Sequence, residues 1–223
     1  MGPYYNNMKF EALGESAYLL RDLGAWDAAR LCDAVAAAGI PGVTEAVCAY
    51  DTVAVYSEHG ALDVGALAEW AAKTAPETIG AGCRRTHVVP VCYSMGPDLG
   101  SVCERLGLTG DEVRALHCSV EYRCFAVGFS PGFPYLGRLP EGLTGVPRMP
   151  SPRVRVPAGS VGITGTQTGI YPQETPGGWA LIGRTPLELV NLREGYFPIA
   201  AGDCVKFEPI DERDFVKMEG SRL

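Results

Sequence analysis

The chain has 223 residues, 47% of them hydrophobic and 20% charged, with a formal net charge of −7 and a pI near 5.0. That length supports one large domain or two small ones with real cores, and the acidic balance gives no global reason to seek nucleic acid or an anionic membrane. No apolar run reaches the ~20 residues that span a bilayer, and Met1-Gly2-Pro3-Tyr4-Tyr5-Asn6-Asn7 has neither the basic nor the apolar region of a signal peptide, so a cytoplasmic protein is expected.

The first block, residues 1–92, reads as alternating strands and helices. Lys9 to Leu13 and Ala17 to Arg21 form a hairpin pattern around Gly14-Glu15. Trp26 to Ala38 is Ala-rich, with Leu31 and Val35 at helical spacing and Gly39 as a stop. Val43 to Tyr50 and Thr52 to Ser57 are β-branched strands turning near Asp51. Asp63 caps a second helix running to Ala75, with Pro76 beyond its end. His87 to Cys92 closes the block as an apolar strand. The order ββαββαβ predicts an open sheet carrying helices, a small α/β domain.

The second block, residues 93–223, starts with two short helices between Pro97 and His117, where Thr109 and Glu112 have the spacing of a capping box. Val120 to Val127 is a strand. Between Gly128 and Arg184 the chain then carries 12 Gly and 9 Pro in 57 residues. Phe129, Phe133, Tyr135, Val156, Ile163, Ile170, Tyr171 and Trp179 interleave them, so short strands joined by tight turns are expected, as in a β-barrel. Leu181 to Ile182, Leu187 to Val190 and Asp203 to Pro209 continue the strands. The fold class is therefore α+β.

Charge changes with this texture. In residues 128–184 the cations are Arg138, Arg148, Arg153, Arg155 and Arg184 and the anions only Glu141 and Glu174, a local balance of +3. Arginine suits bidentate recognition of carboxylate or phosphate, and glycine-rich turns expose amides that hold anions. A site for a small anionic molecule is one reading. Arginines bonded to turn carbonyls or covering apolar surface are the other.

Several catalytic signatures fail on physical grounds. Gly128-Phe129-Ser130-Pro131-Gly132 matches G-x-S-x-G, but the residue after the serine must donate its amide to an oxyanion, and Pro131 has none. No histidine follows Ser130 either. There is no Walker A loop and no G-x-G-x-x-G. The eight cysteines form no C-x-x-C pair and sit mostly among apolar neighbours, so reduced, core-filling thiols and no metal are expected. His59, His87 and His117 show no metal spacing. His117, at a helix end before the strand bearing Glu121 and Tyr122, is a candidate proton carrier or a helix-dipole histidine. Gln167, Thr168 and Tyr171, set between glycines, can read an amide or lactam or can satisfy a turn.

The segments Gly96-Pro97-Asp98-Leu99, Leu116-His117, Glu121-Tyr122-Arg123, Gly128 through Gly137, Pro152 through Ile163, Gln167 through Pro172, Pro176-Gly177-Gly178-Trp179 and Ile182 through Pro186 resemble the KipI-type family, the B-type (PxpB) component of 5-oxoprolinase. That family is also called allophanate hydrolase subunit 1 (carboxyltransferase domain, subdomain C and D). The resemblance implies a small α/β N-terminal domain and a cyclophilin-like β-barrel C-terminal domain. It implies two partner proteins, the C-type (KipA-type) and A-type components of 5-oxoprolinase, and an ATP-dependent hydrolysis of 5-oxoproline to glutamate in the assembled complex. ATP would be used there, with no cofactor tightly bound. Two other branches of function are a regulator that inhibits a sensor histidine kinase and a carboxyltransferase-type component that acts on urea or allophanate. Within this resemblance, Arg153, Arg155 and Arg184 are expected to supply positive potential to the substrate, Gln167, Thr168 and Tyr171 to orient it, and His117 to move a proton.

Overall fold

A computed structural model describes residues 8–58, 62–74 and 83–223. The Met1–Asn7 stretch, His59 and the helix stop expected at Pro76 lie outside the described residues. The chain divides into two compact units, residues 1–82 and 83–223.

The first unit is built on a four-stranded antiparallel sheet of β1 (Lys9–Ala12), β2 (Ala17–Arg21), β3 (Val43–Ala49) and β4 (Thr52–Ser57), in the order β1-β2-β4-β3. Tyr50, at φ 57°, takes the left-handed conformation that lets β3 reverse into β4. Helices α1 (Ala28–Ala37) and α2 (Val64–Lys73) start where short acidic side chains can satisfy free amides. The Asp27 carboxylate accepts from Arg30 N and the Asp63 carboxylate from Ala66 N. Leu20, Leu31, Val35, Val53, Val55 and Leu67 are buried, and the rings of Trp26 and Trp70 stack with centres 6.5 Å apart.

The second unit is a barrel. Its strands are β5 (Thr86–Val91), β6 (Glu121–Val127), β7 (Pro134–Gly137), β9 (Ser160–Thr164), β10 (Gln167–Ile170), β12 (Ala180–Arg184) and β13 (Cys204–Pro209), while β8 (Arg153–Val156) and β11 (Thr175–Gly177) pair separately as a two-stranded ribbon. The seven strands run in the order β12-β9-β10-β7-β6-β13-β5, antiparallel except for β13 with β5. The edges meet at a single bridge, where Cys92 and Arg184 exchange two backbone hydrogen bonds of 2.8 and 3.0 Å. This nearly closed sheet leaves few free strand edges. Val89, Val91, Leu136, Val161, Ile163, Ile170, Ile182, Val205 and Phe207 fill its interior.

Three helices belong to this unit: α3 (Leu99–Leu106), α4 (Gly110–Cys118) and α5 (Glu212–Met218). The expected capping box is present: the Thr109 hydroxyl accepts from Glu112 N, and Thr109 N donates to the Glu112 carboxylate. Its hydrogen bonds hold the Glu112 carboxyl below the usual carboxylate range. No helix among the described residues is long and apolar enough to cross a membrane.

Three features differ from the sequence reading. The apolar strand near residue 90 was expected in the first domain, with the boundary at 92/93. Its hydrogen-bond partner is β13, so β5 is a barrel strand and the units divide between Gly82 and Cys83. Leu187 to Val190, expected as a strand, forms no strand; its β-pairing is limited to the isolated bridge from Glu188 to Arg222. Cys83 and Cys204 are joined by a disulfide, with Cα atoms 5.4 Å apart, which replaces the expectation of reduced thiols for that pair.

Candidate functional site

The loop between β6 and β7 contains the Gly128–Gly132 motif. Gly128 N donates to Phe133 O, Ser130 N to Gly128 O and Phe133 N to Ser130 O, which folds the loop on itself. Phe129 stands at φ 68°, a conformation a non-glycine residue adopts at a cost of order 1 kcal/mol. Gly132, at φ 75°, packs so close to Val190 that a Cβ there would collide with it. The loop is thereby pinned, and it presents Phe129 with 62% of its surface exposed.

Below Phe129 lies a group of edge-to-face rings. Phe133 is 5.5 Å from Phe129, 5.0 Å from Tyr135, 5.1 Å from Tyr171 and 5.4 Å from Trp179. Such contacts are worth about 0.5–1.5 kcal/mol each beyond area burial. Phe133, Tyr171 and Trp179 are buried together with Val156 and Leu181. The ribbon closes down on this group: a Cβ on Gly177 would lie 2.5 Å from Tyr171 Oη, so only glycine fits there. Between these rings and the ribbon is a cavity of about 330 Å³, whose wall includes Phe129, Tyr135, Arg148, Met149 and Trp179. A more open hollow of about 550 Å³ shares Arg148 and Met149 with it and adds Asp98, Glu104 and Arg105.

The cavity has an apolar floor and a guanidinium at its rim. Burial pushes the Tyr171 phenol up, partly offset by a hydrogen bond with the Trp179 backbone and by Arg148. Ser130 Oγ, Gln173 Nε2 and Thr175 Oγ1, on residues near the cavity in sequence but outside its lining, are buried with no hydrogen-bond partner among the described residues. Aromatic walls with a guanidinium at the rim suit a small molecule that has an apolar ring and an anionic group.

The residues singled out from the sequence fall in three places. Tyr171 is in the cavity wall. Arg153 lies beside it but is engaged elsewhere: Nη2 donates to Asp98 Oδ1 at 2.5 Å and Nη1 to Met149 Sδ at 2.7 Å. Arg155 is 79% exposed and 3.6 Å from Glu174. Arg184 donates from Nε to Ala158 O at 2.8 Å and lies over the Phe215 ring, the carbonyl-bonding role that the sequence left open. Gln167 sits in β10 between Thr164 and Gly137. Thr168 and His117 are in the barrel interior, both 0% exposed.

His117 is sealed from solvent. Its Nδ1 is 2.7 Å from Tyr93 Oη and its Nε2 3.0 Å from Thr168 Oγ1, while Thr168 Oγ1 donates to Gly162 O at 3.1 Å. Thr168 has one hydroxyl proton, so His117 Nε2 must be the donor to it and Nδ1 the acceptor from Tyr93. Burial pushes its pKa down to about 3. A neutral ring with both nitrogens occupied and no opening to substrate is a core fastener; the proton-carrying role expected of it has no route in this geometry. The sequence reading in turn missed Phe129, Phe133, Tyr135, Arg148 and Trp179 as a lining. Their density in a Gly/Pro-rich block was the available signal.

A nearly closed barrel following a small four-stranded domain, with an aromatic cavity beside the barrel, defines the class. The family described as carboxyltransferase domain, subdomain C and D, matches residues 8–197, and the chain belongs to it. Among curated proteins it is similar to the 5-oxoprolinase B subunit of Bacillus subtilis (strain 168), 48% identical over 135 residues, 59% of this chain and 56% of that protein. It is also similar to the 5-oxoprolinase B subunit of Escherichia coli O157:H7, 52% identical over 127 residues, 56% of this chain and 58% of that protein. The chain thus spans little more than half the length of the curated relatives it matches. The crystal structure of TTHA0988 superposes with a TM-score of 0.78 at 37% identity, covering 87% of this chain and 40% of that one. The conserved uncharacterized protein PH0987 from Pyrococcus horikoshii gives 0.54 at 34% identity, covering 93% of this chain and 100% of that one. The K. lactis urea amidolyase, at 17% identity and a TM-score of 0.68 over 95% of this chain and 15% of that one, shares the fold.

Proposed function

We propose that the chain is the B-type component of a heteromeric, ATP-dependent 5-oxoprolinase, and that the aromatic cavity receives the five-membered lactam. The observation that carries this reading is the cavity itself, whose wall includes residues of two segments that carry the family resemblance, Gly128–Gly137 and Pro176–Trp179. Two relatives named for the B subunit of 5-oxoprolinase, 48% and 52% identical, support it.

5-Oxoproline carries a carboxylate and a cyclic amide. Arg148 would pair with the carboxylate, and Trp179 and Tyr135 would cover the ring. Transfer of the γ-phosphoryl group of ATP to the lactam oxygen would release ADP; one water then adds to the activated carbon and the C–N bond breaks to leave an acyl phosphate, which a second water cleaves to glutamate and phosphate. The chain has no Walker A loop, and the nucleotide is used by the assembled complex of this chain with its C-type and A-type partners. Shielding the activated lactam from bulk water is this chain's part in the chemistry.

The test is reconstitution of the chain with its cognate C-type and A-type partners and an assay of glutamate release from 5-oxoproline. ATP-dependent release that falls at least about tenfold on Arg148→Met, from loss of a charge-assisted contact of about 1.5–3 kcal/mol, supports the reading. Turnover only with urea, or loss of a histidine kinase's autophosphorylation with no turnover, would replace it with one of the two other branches.

A further inference from the structure

Cys83, Glu121 and Cys204 form the one group of three potential ligand side chains found close together among the described residues, their ligand atoms within 4.8 Å of one another. They come from three neighbouring parts of the barrel. Cys83 precedes β5, Glu121 opens β6, and Cys204 opens β13, the strand between them. Register puts two of them on one face: Glu121 pairs with Lys206, and Cys204 is two residues before Lys206, so their side chains point the same way. The Glu121 carboxylate is exposed and makes no hydrogen bond or ion pair among the described residues, whereas Cys204 is buried and Cys83 half-buried. Arg123 stands directly opposite Cys204.

We propose that this corner of the barrel is a binding site for a thiophilic divalent cation of the zinc class, open when the Cys83–Cys204 bond is reduced and closed when it is formed. Two thiolates and one carboxylate are three of the four ligands of a tetrahedral zinc ion, with the fourth position left to water on the exposed Glu121 side. Two thiolates, one carboxylate and a dication sum to a single negative charge, which Arg123 balances. Reduction by a low-molecular-weight thiol exchanges the protein disulfide for two protein thiols and one small-molecule disulfide. Binding of the cation then releases two protons to solvent. The site lies on the β6–β13–β5 side of the barrel, built from none of the cavity's residues, so it stands or fails independently of the lactam reading.

The experiment titrates the full chain, reduced and then freed of reductant under anaerobic conditions, with Zn2+ and with Co2+ as a spectroscopic probe. The expected result is one Zn2+ per chain and, with Co2+, thiolate-to-cobalt charge-transfer and tetrahedral d–d absorption. The disulfide form should bind neither. Cys83→Ser, a half-buried near-isosteric change with a fold checkable by circular dichroism, should abolish the charge-transfer band. Glu121→Gln should weaken binding by at least about tenfold. The proposal is overturned if reduced protein retains no more Zn2+ than Cys83→Ser, or if Glu121→Gln binds with unchanged affinity.

Discussion

Inside the barrel, the His117 ring takes a hydrogen bond at Nδ1 and gives one at Nε2, and the partners Tyr93 and Thr168 are themselves buried. Its pKa, held down to about 3, lies below that of a solvent-exposed imidazole near 6.5. Between those values the unfolded chain binds the extra proton, so this group's contribution is fully present above pH 6.5 and is lost as the pH falls toward 3. His117→Gln should therefore lower stability by about 1–3 kcal/mol at pH 7 and flatten the difference in urea midpoint between pH 6.5 and pH 4. An unchanged slope in the variant would assign the acid sensitivity to other groups. Phe129 tests the opposite corner. Phe129→Gly relieves the left-handed strain and removes an exposed ring, so Tm should stay within about 3 °C. If the ligand covers that ring, contacts worth about 1.5–3 kcal/mol are lost, and KM for 5-oxoproline in the reconstituted enzyme should rise about tenfold or more.

At the scale of elements, what could be read from sequence was local. Asp63 and the Thr109–Glu112 pair announce two helix starts because capping acts across three residues, while the Asp27 cap went unread. The β1–β2 and β3–β4 hairpins are legible for the same reason. The allegiance of β5 was not, because its partner β13 is supplied by the far end of the chain. Nor does sequence say whether an arginine is free: Arg153 and Asp98 are 55 positions apart, yet Asp98 takes both that guanidinium and the Leu181 amide, tying β8, the start of α3 and β12 together. This pair is mostly buried, with side chains 27% and 12% exposed. Arg153→Met should cost about 2 kcal/mol, less than the 3–5 of a fully buried pair, read as a lower urea midpoint at constant m. Arg155→Met, on an exposed side chain, should leave the midpoint where it is.

For the whole molecule, the aromatic cavity explains why the site was only half legible. Phe129, Phe133 and Tyr135 come from one hairpin, Tyr171 and Trp179 from the segments around β11, and only strand pairing brings them within ring contact. The barrel unit holds its own core and nearly closes its own sheet. Residues 83–223 expressed alone should therefore fold, with a cooperative thermal transition and a Trp179 emission typical of a buried indole. A broad, non-cooperative melt would show that the first unit is required.

The parallel partnership of β13 with β5 also orders events during synthesis. β5 emerges before every other barrel strand and β13 after all of them, so until the last stretch leaves the ribosome both β5 and β6 lack the neighbour that belongs between them. A nascent or prematurely terminated chain would carry two open backbone edges available to other polypeptides. Cleavage or a stop codon just ahead of Cys204 would therefore leave a sticky half-barrel, while trimming after α5 would leave a finished one.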